Sequence, residues 1–203
     1  MAERPAAGWV TGLVCAVLAL GGCASAEDPH QFSGTELGNP FHAPEAALTD
    51  TDGAPYSLAA QTDRPLTLVF FGFTNCPDIC TMVMANIASA MTRLDEADRD
   101  NVEVVFVTTD PGRDDEVALR RYLDRFDEEF VGLTGDLPDI VGVGESFGVY
   151  MKKGRALPTG GYDVTHTTHV FAIDGDDEIP VTWAQETTPP QLAADMAALL
   201  DRA

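Results

Sequence analysis

The chain has 203 residues, 45% of them hydrophobic, with 33 acidic against 12 basic side chains and a formal net charge of −21. That length and apolar share suit one domain behind a leader, and that charge excludes a nucleic-acid partner, whose phosphates need a basic surface. The basic set is ten Arg and two Lys, a bias as consistent with a solvated acidic face kept for solubility as with salt adaptation.

Residues 9–20, WVTGLVCAVLAL, are apolar and uncharged. They fall short of the roughly 20 residues of a bilayer span and fit the apolar region of a secretory signal. L-G-G-C follows at 20–23 and resembles a bacterial lipobox, in which Cys23 becomes the lipidated N-terminus. The expected division is a lipoprotein-type signal peptide over 1–22, a flexible tether over 23–44 and a folded domain over 45–203. The domain then sits on the extracytoplasmic face of a bacterial cell membrane. Cleavage discards Cys15 and lipid occupies Cys23, so Cys76 and Cys80 remain as a pair in a compartment that permits disulfides.

Within the domain, D-G between apolar runs predicts a β-hairpin over 46–58. L-T-L-V-F-F-G-F (66–73) and V-E-V-V-F-V-T-T (102–109) read as strands buried on both faces. A stripe of Ile79, Val83, Ile87, Met91 and Leu94 predicts a helix from about Pro77 to Leu94. A turn and a helix follow over 110–126, capped by Asp114 or Asp115. A short strand over 130–135 and a helix over 137–147 come next. The stretch 149–165 reads as irregular or hairpin-like. Strand 169–174 leads to strand 179–183, where Pro180 suggests a sheet edge. A closing helix over 188–200 has Thr188 as its cap and prolines in its first turn. The alternation gives an α/β fold with a mixed central sheet flanked by helices and an N-terminal hairpin.

The paired cysteines fall where strand 66–73 turns into its helix. Unpaired backbone N–H groups and the helix dipole at such a position favour thiolate over thiol. In regular helix, side chains four apart stand about 5–6 Å apart at Cβ, whereas a disulfide wants about 3.5–4.5 Å. A disulfide therefore needs a loosened first turn, while two sulfurs each about 2.3 Å from a metal can stand further apart. Soft thiolates favour Cu(I) or Zn(II). A third ligand is then required. His30 and His42 lie in the tether, read as solvated. His166 and His169 flank the start of strand 169–174, and on an extended chain residues three apart point to opposite faces, so one of them faces the site.

G-F-T-N-C-P-D-I-C (72–80), D-P-G-R-D (110–114) and Y-D-V-T-H-T (162–167) together resemble the Sco/SenC family of thioredoxin-like copper proteins, over about residues 34–202. The resemblance implies a thioredoxin-like fold holding one copper, as Cu(I) or Cu(II), through Cys76, Cys80 and His166. It implies delivery to the Cu(A) domain of cytochrome c oxidase subunit II, from a copper donor that the sequence does not name. It leaves open a thiol–disulfide reductase using Cys76 and Cys80 as a redox-active pair, so that the protein is a metallochaperone first and an oxidoreductase second. Thr81 and Thr165 stand where the family often has Pro and Asp. Asp78, between the cysteines, and Asp110 and Arg113, in the following loop, are candidate supporting residues, although a helix-start acid and a plain turn explain them as well. The segment T-H-T-T-H-V lacks the cis-proline that thioredoxin-like oxidoreductases place opposite their cysteines, which favours metal binding over general disulfide exchange.

Overall fold

The computed structural model of the chain describes residues 1, 30–60, 64–156 and 162–203, and at 152–156 and 162–166 the backbone alone. Residues 2–29, which hold Cys15, Cys23, nearly all of the expected signal peptide and the first part of the expected tether, lie outside the described residues. In chain order the elements are β1 (Thr35–His42), β2 (Ala47–Asp50), β3 (Pro55–Ser57), β4 (Leu66–Gly72), α1 (Ile79–Met91), α2 (Glu96–Asp100), β5 (Val102–Thr108), α3 (Glu116–Leu123), β6 (Val131–Thr134), α4 (Leu137–Ser146), β7 (Met151–Ala156), β8 (Tyr162–His166), β9 (Val170–Asp174), β10 (Glu178–Trp183) and α5 (Pro189–Leu200). No helix among the described residues is long and apolar enough to cross a membrane.

Eight strands form one mixed sheet in the order β1-β10-β9-β4-β5-β6-β2-β3. β4, β5 and β6 run parallel, in register from Leu66↔Val102 to Gly72↔Thr108. β9 runs antiparallel to β4, with Val170 opposite Phe70. All seven residues of β4 are buried, because helices cover both faces of the sheet. Leu68, Phe70, Val104 and Phe106 pack with residues of α1, α3 and α5. Val69, Phe71, Val105 and Val107 pack on the other side, with α4 and the β2–β3 hairpin. The hairpin turns at Gly53, whose φ of 81° is left-handed backbone that glycine adopts without cost. The expected α/β architecture with a mixed, helix-flanked sheet and an N-terminal hairpin is the one observed.

Three elements depart from the sequence reading. The tether read as running to residue 44 ends earlier: residues 35–42 form β1, which pairs antiparallel with β10. β10 is consequently internal rather than an edge strand. Pro180 is tolerated there because the register jumps between Glu36↔Val181 and Phe41↔Ile179, and the resulting bulge asks no ladder N–H of the proline. The third is α2, five residues with none buried, which leaves no apolar periodicity to read. It is held at its start by Asp95, whose carboxylate accepts the Asp98 N–H at 2.9 Å.

His30, read as solvated, is tied down. Its Nε2 lies 2.8 Å from Asp195 Oδ1. The same buried carboxylate accepts the Ser33 N–H and hydroxyl, the Gly34 N–H and the Trp183 indole N–H, at 2.6–3.1 Å on Oδ2. These bonds hold the Asp195 carboxyl below its ordinary range against the opposing effect of burial. Residues 30–34 are thereby fastened to α5. His42 is exposed at the end of β1, opposite Glu178.

Candidate metal centre

β4 ends at Gly72, where an added Cβ would stand 2.9 Å from the Phe106 ring. The chain then makes a turn in which the Cys76 N–H donates to the Phe73 carbonyl at 3.2 Å. Asp114, fully buried in the loop after β5, clamps this turn. Its Oδ2 accepts the Thr74 N–H and the Thr108 hydroxyl, both at 2.8 Å, and its Oδ1 accepts the Thr74 hydroxyl at 2.6 Å. Asp115, not Asp114, caps α3 by accepting the Ala118 N–H at 2.7 Å. The two acids, interchangeable to the eye, have separate tasks.

α1 begins at Ile79, so Cys76 precedes the helix and Cys80 lies in its first turn. The Cys80 N–H does not close a turn of helix onto the Cys76 carbonyl; it donates to Cys76 Sγ at 3.4 Å. The first turn is thus already loosened, which removes the geometric objection to a disulfide that regular helix would raise. Both thiols are free here, Cys76 half-buried and Cys80 buried. Burial pushes the Cys80 thiol far up, and the neighbouring Cys76 sulfur adds to the effect.

Tyr122, on α3, reaches the same spot. Its ring packs against Phe106 and Phe126, and its hydroxyl is buried without a formed hydrogen bond among the described residues. Burial raises the Tyr122 phenol to about 12, the Thr81 hydroxyl pulls it back, and the sulfurs of Cys80 and Cys76 lie close enough to act on it electrostatically. This residue was not singled out from sequence, where it reads as one more apolar position of a helix.

Register places the histidine segment. β9 starts at Val170 opposite Phe70, so residues 167–169 emerge at the end of the sheet where β4 hands over to the cysteine turn. The His166 backbone pairs with Met151 in the β7–β8 hairpin; its side chain lies outside the described residues. His169 is exposed, with its ring centroid 6.4 Å from that of Phe171. Phe171 belongs to the core on the face opposite Cys80, so His169 is directed away from the thiols. Among the described residues no cluster of three or more His, Cys, Asp or Glu gathers for a metal.

Asp78 caps α1 by position, exposed and without a side-chain bond to the helix. Arg113 forms an ion pair with Asp110 and borders a concavity with Thr74 and Asn75. The loop thus brings Arg113 beside the cysteine turn, while Asp78 stays on the surface.

The donor set suits a soft metal. Two thiols meet at a helix start, where N–H groups are plentiful, and the buried Tyr122 O–H stands beside them, near the Thr81 hydroxyl. A metal-bound thiolate would accept from that hydroxyl, so its place beside both sulfurs fits a pair of metal-bound thiolates.

The SCO1/SenC family model matches residues 34–201. The chain belongs to the SCO1/SenC family. This SCO1/SenC chain is 29% identical over 148 residues to mitochondrial SCO2 of Saccharomyces cerevisiae, covering 72% of itself and 47% of that protein; it spans about half the relative's length. It resembles the apo Sco1 solution structure from Thermus thermophilus with a TM-score of 0.76 and 31% identity, over 84% of this chain and 98% of the other. It also resembles Bradyrhizobium japonicum ScoI with copper bound, with a TM-score of 0.66 and 33% identity, over 79% and 98% of the two chains. The thioredoxin-like fold expected of this SCO1/SenC chain is the one these neighbours share.

Proposed function

We propose that this SCO1/SenC protein is a membrane-tethered, extracytoplasmic copper chaperone. It holds one copper through Cys76, Cys80 and His166 and passes it to the Cu(A) site of cytochrome c oxidase subunit II. The observation that carries this reading is the pair of free thiols at the start of α1, beside the buried Tyr122 hydroxyl, in a chain of a family whose Bradyrhizobium member has been solved with copper bound.

Copper supplies a soft acceptor for two thiolates and an imidazole. The chain does the rest. Cys80 gives up a proton that its burial otherwise retains. Asp114 fixes Thr74 and with it the path of the turn to Cys76. Tyr122 donates its hydroxyl hydrogen toward the sulfurs. Cys76, the less buried thiol, is the ligand an incoming partner meets first, so transfer by ligand exchange starts there. Lipid on Cys23 keeps donor and target in one membrane.

Copper titration of the reduced protein beside His166→Ala tests this reading. One copper per chain with intense Cu(II)–thiolate absorption, weakened sharply by the substitution, is expected. Unchanged affinity in His166→Ala would remove the histidine from the site and with it the chaperone as described.

A second reading, a thiol–disulfide reductase acting on the oxidase subunit or another exported protein, rests on the loosened turn that puts the Cys80 N–H 3.4 Å from Cys76 Sγ. There Cys76 attacks and Cys80 resolves. It gains if Cys76→Ala abolishes reduction of a partner disulfide while His166→Ala leaves that reduction and copper affinity untouched.

A further inference from the structure

On a chain with 33 acidic and 12 basic residues, grouped guanidinium groups stand out. Three of them border one open concavity of about 310 Å³ beside the cysteine turn: Arg113, Arg121 and Arg125, with Thr74, Asn75 and Tyr122. Thr74 and Asn75 lead directly into Cys76, and Tyr122 is the residue whose hydroxyl feels both sulfurs. The concavity is therefore the immediate flank of the exchange site.

The three arginines differ in what they leave free. Arg113 is engaged by Asp110. Arg125 is held in place without a carboxylate: its guanidinium lies 4.5 Å from the Tyr122 ring centroid and its Nε donates to the Tyr122 carbonyl at 3.2 Å. Its terminal nitrogens remain for an outside acceptor. Arg121 is exposed. Neither Arg121 nor Arg125 makes an ion pair among the described residues. Carboxylates are near enough to matter: Glu116 and Asp124 share another surface hollow with Arg121, though Asp124 is taken by Arg120.

We propose that this arginine concavity is the docking site for a carboxylate-bearing face of the protein that exchanges copper or a disulfide with Cys76. The proposal rests on Cys76 being the exchanging group, as in both readings above. The net charge of −21 repels acidic partners at long range, so a local reversal of sign beside the reactive sulfur selects where such a partner can settle.

The test needs no copper. Two synthetic disulfide peptides serve as probes, identical except that one carries Glu and the other Gln beside its cystine. Cys76 attacks a peptide sulfur; the peptide S–S bond breaks as a mixed disulfide forms, and one peptide thiolate leaves. Cys80 then displaces the second, giving a Cys76–Cys80 disulfide, two peptide thiols and no net proton change. For the reduced full-length protein the Glu peptide is expected to react faster than the Gln peptide by about tenfold at low salt, the advantage shrinking as salt is added. Arg121→Glu should abolish the advantage, and Arg121→Lys should keep most of it. Taking the ratio of the two peptides cancels any change in the thiol itself. Because Arg125 also packs on Tyr122, the exposed Arg121 carries the decision. A Glu peptide slower than its Gln twin, or a ratio unmoved by Arg121→Glu, overturns the docking site. A separate copper titration that finds no binding while the ratio holds would overturn the chaperone reading alone.

Discussion

The Trp183 indole N–H donates to Asp195 Oδ2 at 2.8 Å, joining the last residue of β10 to the middle of α5. The same carboxylate holds residues 30–34, so one buried acid ties the start of the domain to its end. Asp195→Ala strands the indole, two backbone N–H groups and the Ser33 hydroxyl. A loss of about 3 kcal/mol of stability is expected, read by denaturant unfolding, together with exposure of residues 30–34 to proteolysis.

The same group sets an acid limit. Its folded pKa lies below the unfolded value of 3.8. Its stabilisation is therefore fully present above that value and is lost as pH falls through the lower folded one. Asp195→Asn should flatten the stability–pH curve below about pH 4, measured by unfolding at a series of pH values.

Cys80 stays protonated at neutral pH in the metal-free protein because burial disfavours its thiolate. If Cys80 is a ligand as proposed, copper binding must expel that proton. Affinity is expected to rise with pH through the neutral range, with at least one proton released per copper. Calorimetry in buffers of different ionisation enthalpy counts it. No proton release would mean that Cys80 is not a ligand.

Tyr122→Phe should weaken the copper-bound state and largely spare the metal-free one. Removing a buried hydroxyl that meets only the neighbouring Thr81 hydroxyl is expected to leave the metal-free stability within about 1 kcal/mol. Removing a donor to the bound thiolates is expected to weaken copper binding by about tenfold. Melting curves with and without copper measure both; a uniform loss in the two states would make Tyr122 a packing residue only.

Asp114→Asn tests the clamp on the turn. A neutral amide keeps the volume of the carboxylate but replaces one acceptor with a donor facing Thr74 and Thr108. Copper affinity is expected to fall about 10–100-fold, while α3, capped by Asp115, keeps its helicity by circular dichroism.

Local features were legible in sequence and long-range ones were not. The β4 and β5 runs, the stripe on α1 and the C-x-x-x-C spacing each depend on neighbours within a turn or a strand. β1 was hidden because its eight residues are mostly exposed, with Gly38, Asn39 and Pro40 falling in the bulge. Asp114 reads as a helix cap, and only folding brings it to Thr74, forty residues earlier. Asp195 did leave a signal: a lone acid on the same helix face as Leu192, Met196 and Leu199, all buried. A carboxylate in that place needs donors from elsewhere. The thioredoxin-like fold and the family follow from the motifs, while His166 as the proposed third ligand rests on the resemblance, its side chain lying outside the described residues.

The knot at residues 30–34 also sets a leash. Under the proposed lipidation of Cys23, the link from the anchor to the fastened His30 is seven residue steps and not the twenty-one that lead to residue 44. Fully stretched it reaches only about 20–25 Å. Trp183 pairs with Val170, which pairs with Phe70, so the knot sits at the same end of the sheet as the cysteine turn. Under that proposal, a short link attached at that end would confine the thiols to a thin shell above the lipid headgroups. Within such a shell, encounter with a target in the same membrane is governed by two-dimensional surface density rather than by bulk concentration.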